Sequence, residues 1–381
     1  MTTVTGRPVE PTSEQLAALA RSSLATIIEL QDASGAYPAS PTFSAYRGYS
    51  WFRDGAFIAD GVSSYGGVAS ATAFFDWCSR ILEAREGQIG AIVAAAAAGE
   101  PVPDSGMLAA RFTFEGFEGG DEWWDFQLDG YGTWLWAVVQ HAERHNLDLS
   151  PWQRAIELSV DYLLSSWHRP CFDWWEENAD RVHGSTLGCI AAGLSAVLPV
   201  LGGDRESAAR AAVTDITALL RAEGLHNGHL AKWLGSSEVD ASLVAVVAPL
   251  GVFAASDPIG LATIEAVDAR LAMDGGVHRY LADTFFGGGQ WPLLSCFLGL
   301  AHAEAGNRDR ALELLRFAAS TAGPDGSMPE QVGGHLLDPG MTEEWVARWG
   351  PIAQPLLWSH AMYIRLAVAL DVVTPTTEVA A

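Results

Sequence analysis

The chain has 381 residues, 49% of them hydrophobic and 18% charged, which is enough apolar material for one large buried core. Its formal net charge of −24 excludes polyanionic partners such as nucleic acid or an anionic membrane surface and suits a neutral ligand. No apolar run reaches the length of a membrane span, and Met1 to Pro8 lack the basic and apolar stretches of a secretory leader, so a cytoplasmic protein is expected.

Thr12-Ser13-Glu14-Gln15 has the form of a capping box, and Leu16, Leu19, Leu24, Ile27 and Ile28 then fall on one helical stripe. Ser150-Pro151 and Asp257-Pro258 each set a capping side chain before a proline at the first helical position. Signals of this kind predict about twelve helices, over 12–31, 53–66, 68–86, 129–146, 151–167, 184–200, 204–223, 240–252, 257–273, 290–305, 307–322 and 355–372. No segment alternates with period two for long enough to demand a sheet, and no Pro/Ser-rich linker divides the chain. A single all-α domain over 1–381 is expected, with flexible termini at 1–11 and 374–381. Cys78, Cys171, Cys189 and Cys296 are scattered without metal-ligand spacing and read as buried thiols of a reducing compartment.

The connections carry more information than the helices. Loops before even-numbered helices hold Trp51-Phe52-Arg53-Asp54-Gly55, Gln127-Leu128-Asp129-Gly130, Trp175-Glu176-Glu177, Val239-Asp240-Ala241-Ser242, Gly287-Gly288-Gly289-Gln290-Trp291 and Pro329-Glu330-Gln331. Most loops after even helices are short. In an up-down array all odd-to-even loops emerge on one side. Six helical hairpins closed into a ring, an (α/α)6 toroid, would therefore gather these motifs at one mouth.

Glu176 and Glu330 sit in aromatic, turn-rich settings rather than on solvated helix faces. A protonated and an ionised carboxyl facing each other are what glycosidic bond cleavage requires. Packing against Trp174 and Trp175, with Glu177 adjacent, would raise the Glu176 pKa, although a place near a helix start favours the anion. Glu330, between a proline and the amide of Gln331, is the candidate for the ionised base. Trp51, Trp123, Trp124, Trp174, Trp175 and Trp291 lie in connections, where indole faces can stack on sugars; each is also an ordinary core residue by type. Arg53-Asp54 reads either as a capped helix start or as a fork for sugar hydroxyls, and Arg279 is a further hydroxyl binder. Asp129 and Asp240 read as N-caps. Gly287-Gly288-Gly289 lacks the Lys-Ser/Thr of a phosphate loop. The histidines form no His-Glu-x-x-His pattern, no Gly-x-Ser-x-Gly elbow is present, and no metal or other cofactor is expected.

In this order the motifs resemble the glucoamylase family of inverting glycosidases, glycoside hydrolase family 15. The likeness runs from Trp51-Phe52-Arg53-Asp54-Gly55 to Trp358-Ser359-His360-Ala361. The resemblance implies that Glu176 is the general acid and Glu330 the general base. Arg53, Asp54 and Arg279 would bind the terminal glucose, Trp123 and Trp175 would line the site, and Glu177 would reach the next sugar. Tyr46, Tyr49, Trp51, Trp291 and Gln331 are added as substrate-binding candidates. Fungal members carry a tyrosine four residues before the motif tryptophan; that position here is Arg47, with Tyr46 and Tyr49 beside it. The small single-domain form implies an exo-acting α-glucosidase of short α-glucosides, with α-1,6-linked isomaltose preferred and trehalose and α-1,4 maltooligosaccharides open. Inversion implies carboxyl groups roughly 6.5–9.5 Å apart, with room for one water. Two rivals are weaker: a terpene-type cyclase would need an Asp-rich acid motif, and a non-catalytic sugar-binding toroid would not need both glutamates.

Overall fold

The computed structural model describes residues 11–375 except 121, 122, 124 and 125. The termini expected to be flexible (all but residues 11, 374 and 375 of them) and Trp124 lie outside the described residues.

Six helices form an inner ring: α2 (Phe52–Tyr65), α5 (Asp129–His145), α7 (Gly184–Val197), α9 (Leu243–Val247), α11 (Pro292–Glu304) and α14 (Leu357–Ala369). Each packs against the next, and α14 returns to α2 to close the circle. Nearly every residue of these helices is buried, as expected of helices covered on all sides. An outer layer of amphipathic helices covers them: α1 (Ser13–Leu30), α3 (Val68–Ala84), α6 (Gln153–Ser166), α8 (Gly203–Glu223), α10 (Pro258–Leu271) and α12 (Arg308–Ser320). Twelve expected helices thus appear as six inner and six outer ones. Thr12 makes the anticipated capping box with Gln15, and Asp257 caps α10 through the N–H of Ile259.

Three features depart from the expectation. Helix α9 runs only over Leu243–Val247 instead of 240–252, because Pro249 brings no N–H and blocks a further turn. Two helices have no counterpart in the reading: α4 (Glu86–Ala97) and α13 (Thr342–Trp349). Helix α4 is alanine-rich and buries only Ile89 and Ile92, so it lacks the apolar stripe that marks a helix in sequence; α13 sets Trp345 and Trp349 one turn apart but spans only 8 residues and buries none of them. Short antiparallel pairs also join β1 (Tyr49–Trp51) to β2 (Arg111–Thr113), β3 (Leu225–His226) to β4 (His229–Leu230), and β5 (Ala272–Met273) to β6 (Gly276–Val277).

The ring is tight because glycines let inner helices touch backbone to backbone. A Cβ on Gly193 of α7 would stand 2.2 Å from the carbonyl oxygen of Gly132 in α5, and one on Gly61 of α2 would stand 2.5 Å from that of Ala361 in α14. Aromatic side chains fill the space left inside. Phe57 stacks on Trp358 with centroids 5.6 Å apart, and Phe297 and Trp174 close around that pair. Such contacts each add about 0.5–1.5 kcal/mol beyond their burial.

The two kinds of glycine should behave oppositely. Gly193→Ala is expected to destabilise the fold by about 1–3 kcal/mol through overpacking. Gly90→Ala, in α4 where an added Cβ meets nothing, should hold or raise the melting temperature. Thermal unfolding of both variants checks this, and a wild-type melting temperature for Gly193→Ala would contradict the backbone contact.

Candidate active site

The N-terminal ends of the inner helices deliver their loops to one cavity of about 220 Å³. Trp174 and Trp358 separate it from the aromatic core below. One wall runs through Tyr46, Trp51 and Trp123, whose rings meet edge to face. The other runs through Trp175, Trp291 and Phe285. Helix α13 adds Trp345, Arg348 and Trp349 to the lining, with Trp345 against Phe285 and Trp349 against Trp123.

Glu176 is held by a turn rather than by a helix start, since α7 begins only at Gly184. Buried Asp173 accepts the N–H groups of Trp175 and Glu177, both at 2.9 Å, and clasps Glu176 between them in left-handed backbone at φ 60°. A non-glycine residue held there is strained and needs such support. The indole N–H of Trp51 donates to Glu176 Oε1 at 3.1 Å, and the Gln127 amide approaches the same oxygen at 3.5 Å. Burial pushes this carboxyl up to about 7, opposed by Arg53 and reinforced by Asp54. The like-charge neighbour is therefore Asp54 and not Glu177. Glu177 turns aside, accepting the Tyr280 hydroxyl and standing 3.8 Å from Arg279.

Glu330 is pinned from α14. Its N–H donates to the Ala353 carbonyl at 2.9 Å, Ser359 Oγ donates to the Pro329 carbonyl at 2.8 Å, and the Met328 N–H donates to His360 Nε2 at 3.0 Å. Burial holds His360 down to about 4, so its ring stays neutral and able to accept. The Tyr46 hydroxyl donates to Glu330 Oε1 at 2.8 Å. Burial pushes the Glu330 carboxyl up to about 8, with the Tyr46 hydrogen bond and Arg279 pulling the other way. Glu330 does not have the polar surroundings expected of it. Glu330 is 1% exposed, and the Gln331 amide points away, accepting the Gly289 N–H and donating to the Phe285 carbonyl.

Arg53 donates to Gln127 at 2.6 Å and Asp129 at 3.0 Å, and pairs with Asp54 at 3.3 Å. Asp129 therefore serves Arg53 and makes no cap bond, contrary to its reading as an N-cap. Asp240 does bond the Ser242 N–H ahead of α9, and also accepts the Trp175 indole N–H at 2.9 Å. Arg279 grips Asp283 through two nitrogens and lies over Trp175 and Trp291. The cavity thus brings together Tyr46, Trp51, Arg53, Asp54, Trp123, Trp175, Glu176, Glu177, Arg279, Trp291 and Glu330. Tyr49 and Gln331 fall outside it. Tyr49 instead stacks on Arg111, whose guanidinium also underlies Trp51 and Trp123. Phe43, Phe285 and the three α13 side chains were missed; a Trp-x-x-Arg-Trp cluster was the one local signal that marked α13.

A sequence profile described as "Glycosyl hydrolases family 15" matches residues 13–323. The chain belongs to that family. It is a glycoside hydrolase, and the isomaltose glucohydrolase of Kribbella flavida is 54% identical over 363 residues, covering 94% of both chains. A solved glycosidase of 53% identity superposes with a TM-score of 0.93, covering 94% of this chain and 98% of the other. The glucoamylase of Saccharomycopsis fibuligera, at 15% identity and 99% coverage of both chains, shares the fold with a TM-score of 0.73. Among the described residues no helix is long and apolar enough to cross a membrane, and no cluster of His, Cys and acidic side chains could hold a metal ion.

Burying the family 15 carboxyls has a cost that pH reveals. The Glu330 proton is held to about pH 8 when folded against an ordinary 4.5, so the unfolded chain releases it first. Its contribution to stability is complete below the unfolded value and is lost as pH rises through the folded one. Glu330→Gln should therefore match wild type near pH 4.5. At about pH 9 it should melt at least about 2 °C higher. A melting-temperature difference that does not grow with pH would refute this.

Proposed function

We propose that the chain is an exo-acting, inverting α-glucosidase of short α-glucosides, with isomaltose as preferred substrate, Glu176 as general acid and Glu330 as general base. The observation that carries this reading is a pair of desolvated carboxyls lining one cavity and separated by an aromatic pair. Trp51 serves Glu176, Tyr46 serves Glu330, and the two rings meet at 5.5 Å. Two rings set between the carboxyls support the wider separation, with room for one water, that inversion needs.

In the active form one proton resides on the pair. Glu330 as the anion accepts the Tyr46 hydroxyl on Oε1 and has Oε2 without a partner among the described residues, available to take a proton from water. The water oxygen bonds to the anomeric carbon while the bond from that carbon to the leaving oxygen breaks. Glu176 protonates that oxygen, and β-glucose results from the α-linked substrate. A pKa pushed up to about 7 suits a donor near neutral pH.

Exo action is supported by the aromatic floor of Trp174 and Trp358, which admits a chain end and no through-passage. Short substrates are supported by α13, whose Trp345, Arg348 and Trp349 narrow the rim. The isomaltose preference rests on the 54% identity to the Kribbella flavida enzyme. All four cysteines are buried and unpaired, which supports a cytoplasmic setting.

Proton NMR of fresh product should show β-glucose first; α-glucose first would reject inversion. Glu176→Gln and Glu330→Gln should each lose about 10² or more in kcat on isomaltose with native circular dichroism. Turnover near wild type would remove the role from that residue. Truncation of Trp345 or Trp349 to alanine should raise kcat/KM on longer α-glucans relative to isomaltose, and an unchanged ratio would take α13 out of substrate selection.

A further inference from the structure

Beneath the turn that carries Glu176 lies Lys232, the sole lysine among 22 lysines and arginines. It is 3% exposed. Its ammonium stands 3.2 Å from Asp240 Oδ2 and 3.8 Å from Asp173 Oδ2, and 3.2 Å from the centre of the Tyr280 ring. A buried ammonium persists only where carboxylates and ring faces replace its water.

Each of these three partners in turn controls a cavity side chain. Asp173 accepts the two N–H groups that flank Glu176. Asp240 accepts the indole N–H of Trp175. Tyr280 donates its hydroxyl to Glu177. None of the three lies in an inner-ring helix, so the ion cluster ties together mouth loops and not the toroid itself. The mouth otherwise relies on arginine, at Arg53, Arg111 and Arg279. A compact ammonium presents one point charge to all three partners, whereas a guanidinium would have to lay a planar fork among them.

We propose that Lys232 is a positioning residue for proton donation: by holding Asp173, Asp240 and Tyr280 as one unit, it sets where the Glu176 carboxyl meets the leaving oxygen. This rests on Glu176 being the general acid. Without the ammonium, Asp173 and Asp240 repel each other in a dry site and the turn between them loosens. The error then falls on the step that needs the Glu176 proton, and spares a leaving group that departs unprotonated.

The test compares isomaltose with α-D-glucosyl fluoride, whose fluoride leaves as an anion. In Lys232→Met, kcat on isomaltose should fall by about tenfold or more, and kcat on the fluoride by less than about threefold. Equal losses on the two substrates would mean a merely structural lysine and overturn the proposal, as would undiminished isomaltose turnover. If Lys232→Met lacks native near-ultraviolet circular dichroism, Lys232→Arg, which keeps the charge and changes its shape, carries the same comparison with the same expected split. Glu176→Gln measured alongside separates the two claims. Equal losses there would remove the acid role from Glu176, whereas a split there without one at Lys232 would remove the positioning role alone.

Discussion

Everything at the mouth depends on how closely the inner helices approach one another. Where Gly193 meets Gly132 and Gly61 meets Ala361, backbone lies on backbone and the ring contracts to its smallest radius. A ring that narrow is filled across by a single aromatic layer of Phe57, Phe297, Trp174 and Trp358. The layer ends directly below the loops, and the space left above it is sugar-sized. Desolvation of Glu176, Glu330 and Asp54 follows from that confinement, and burial is the leading cause of the upward shift in all three. The same geometry makes the carboxyls expensive to ionise, which is what their proposed roles as proton donor and acceptor draw on.

Charge around the cavity is arranged in units, each built on one buried cation. Arg53 gathers Asp54, Asp129 and Glu176; Arg279 gathers Asp283 and Glu177; Lys232 gathers Asp173 and Asp240. Carboxylates outnumber cations in this set, so the mouth presents a negative field to a neutral sugar. A reaction that builds positive charge on the ring carbon and oxygen gains from such a field only as the transition state develops. The cations keep the acids in place, and the surplus of acids acts on the chemistry.

The rim differs in character from the ring. Helix α13 buries none of its residues and touches the rest of the molecule mainly through Trp345 and Trp349. Its role is enclosure, with little contribution to the core. The β1–β2 pair supports the wall of Trp51 and Trp123, where Arg111 sandwiched against Tyr49 and Trp123 stiffens the base of Trp51. The rim at α13 can therefore vary while the turn that holds Glu176 and the ring stay constant.

Local chemistry is what the amino-acid sequence determined by itself. Caps such as Thr12 and Asp257, prolines at helix starts and period-3.6 stripes act within a few residues, so twelve helices and the alternation of motif loops were legible without a structure. The motif loops also named both glutamates, because aromatic and glycine-rich connections stand out from helix faces. Tertiary structure alone decided side-chain direction and protonation. Tyr46 reaches Glu330 while Tyr49 turns to Arg111, a choice made by a strand 60 residues away. Gln331 faces a glycine loop instead of solvating its neighbour, and Glu330 is consequently the more deeply buried carboxyl. Helix α13 showed in sequence only as a Trp-x-x-Arg-Trp cluster and the Lys232 cluster did not show at all, since their meaning lies in contacts across the ring. A pKa is set by how much water a group loses and which charges it meets, and both are properties of the closed toroid rather than of any segment.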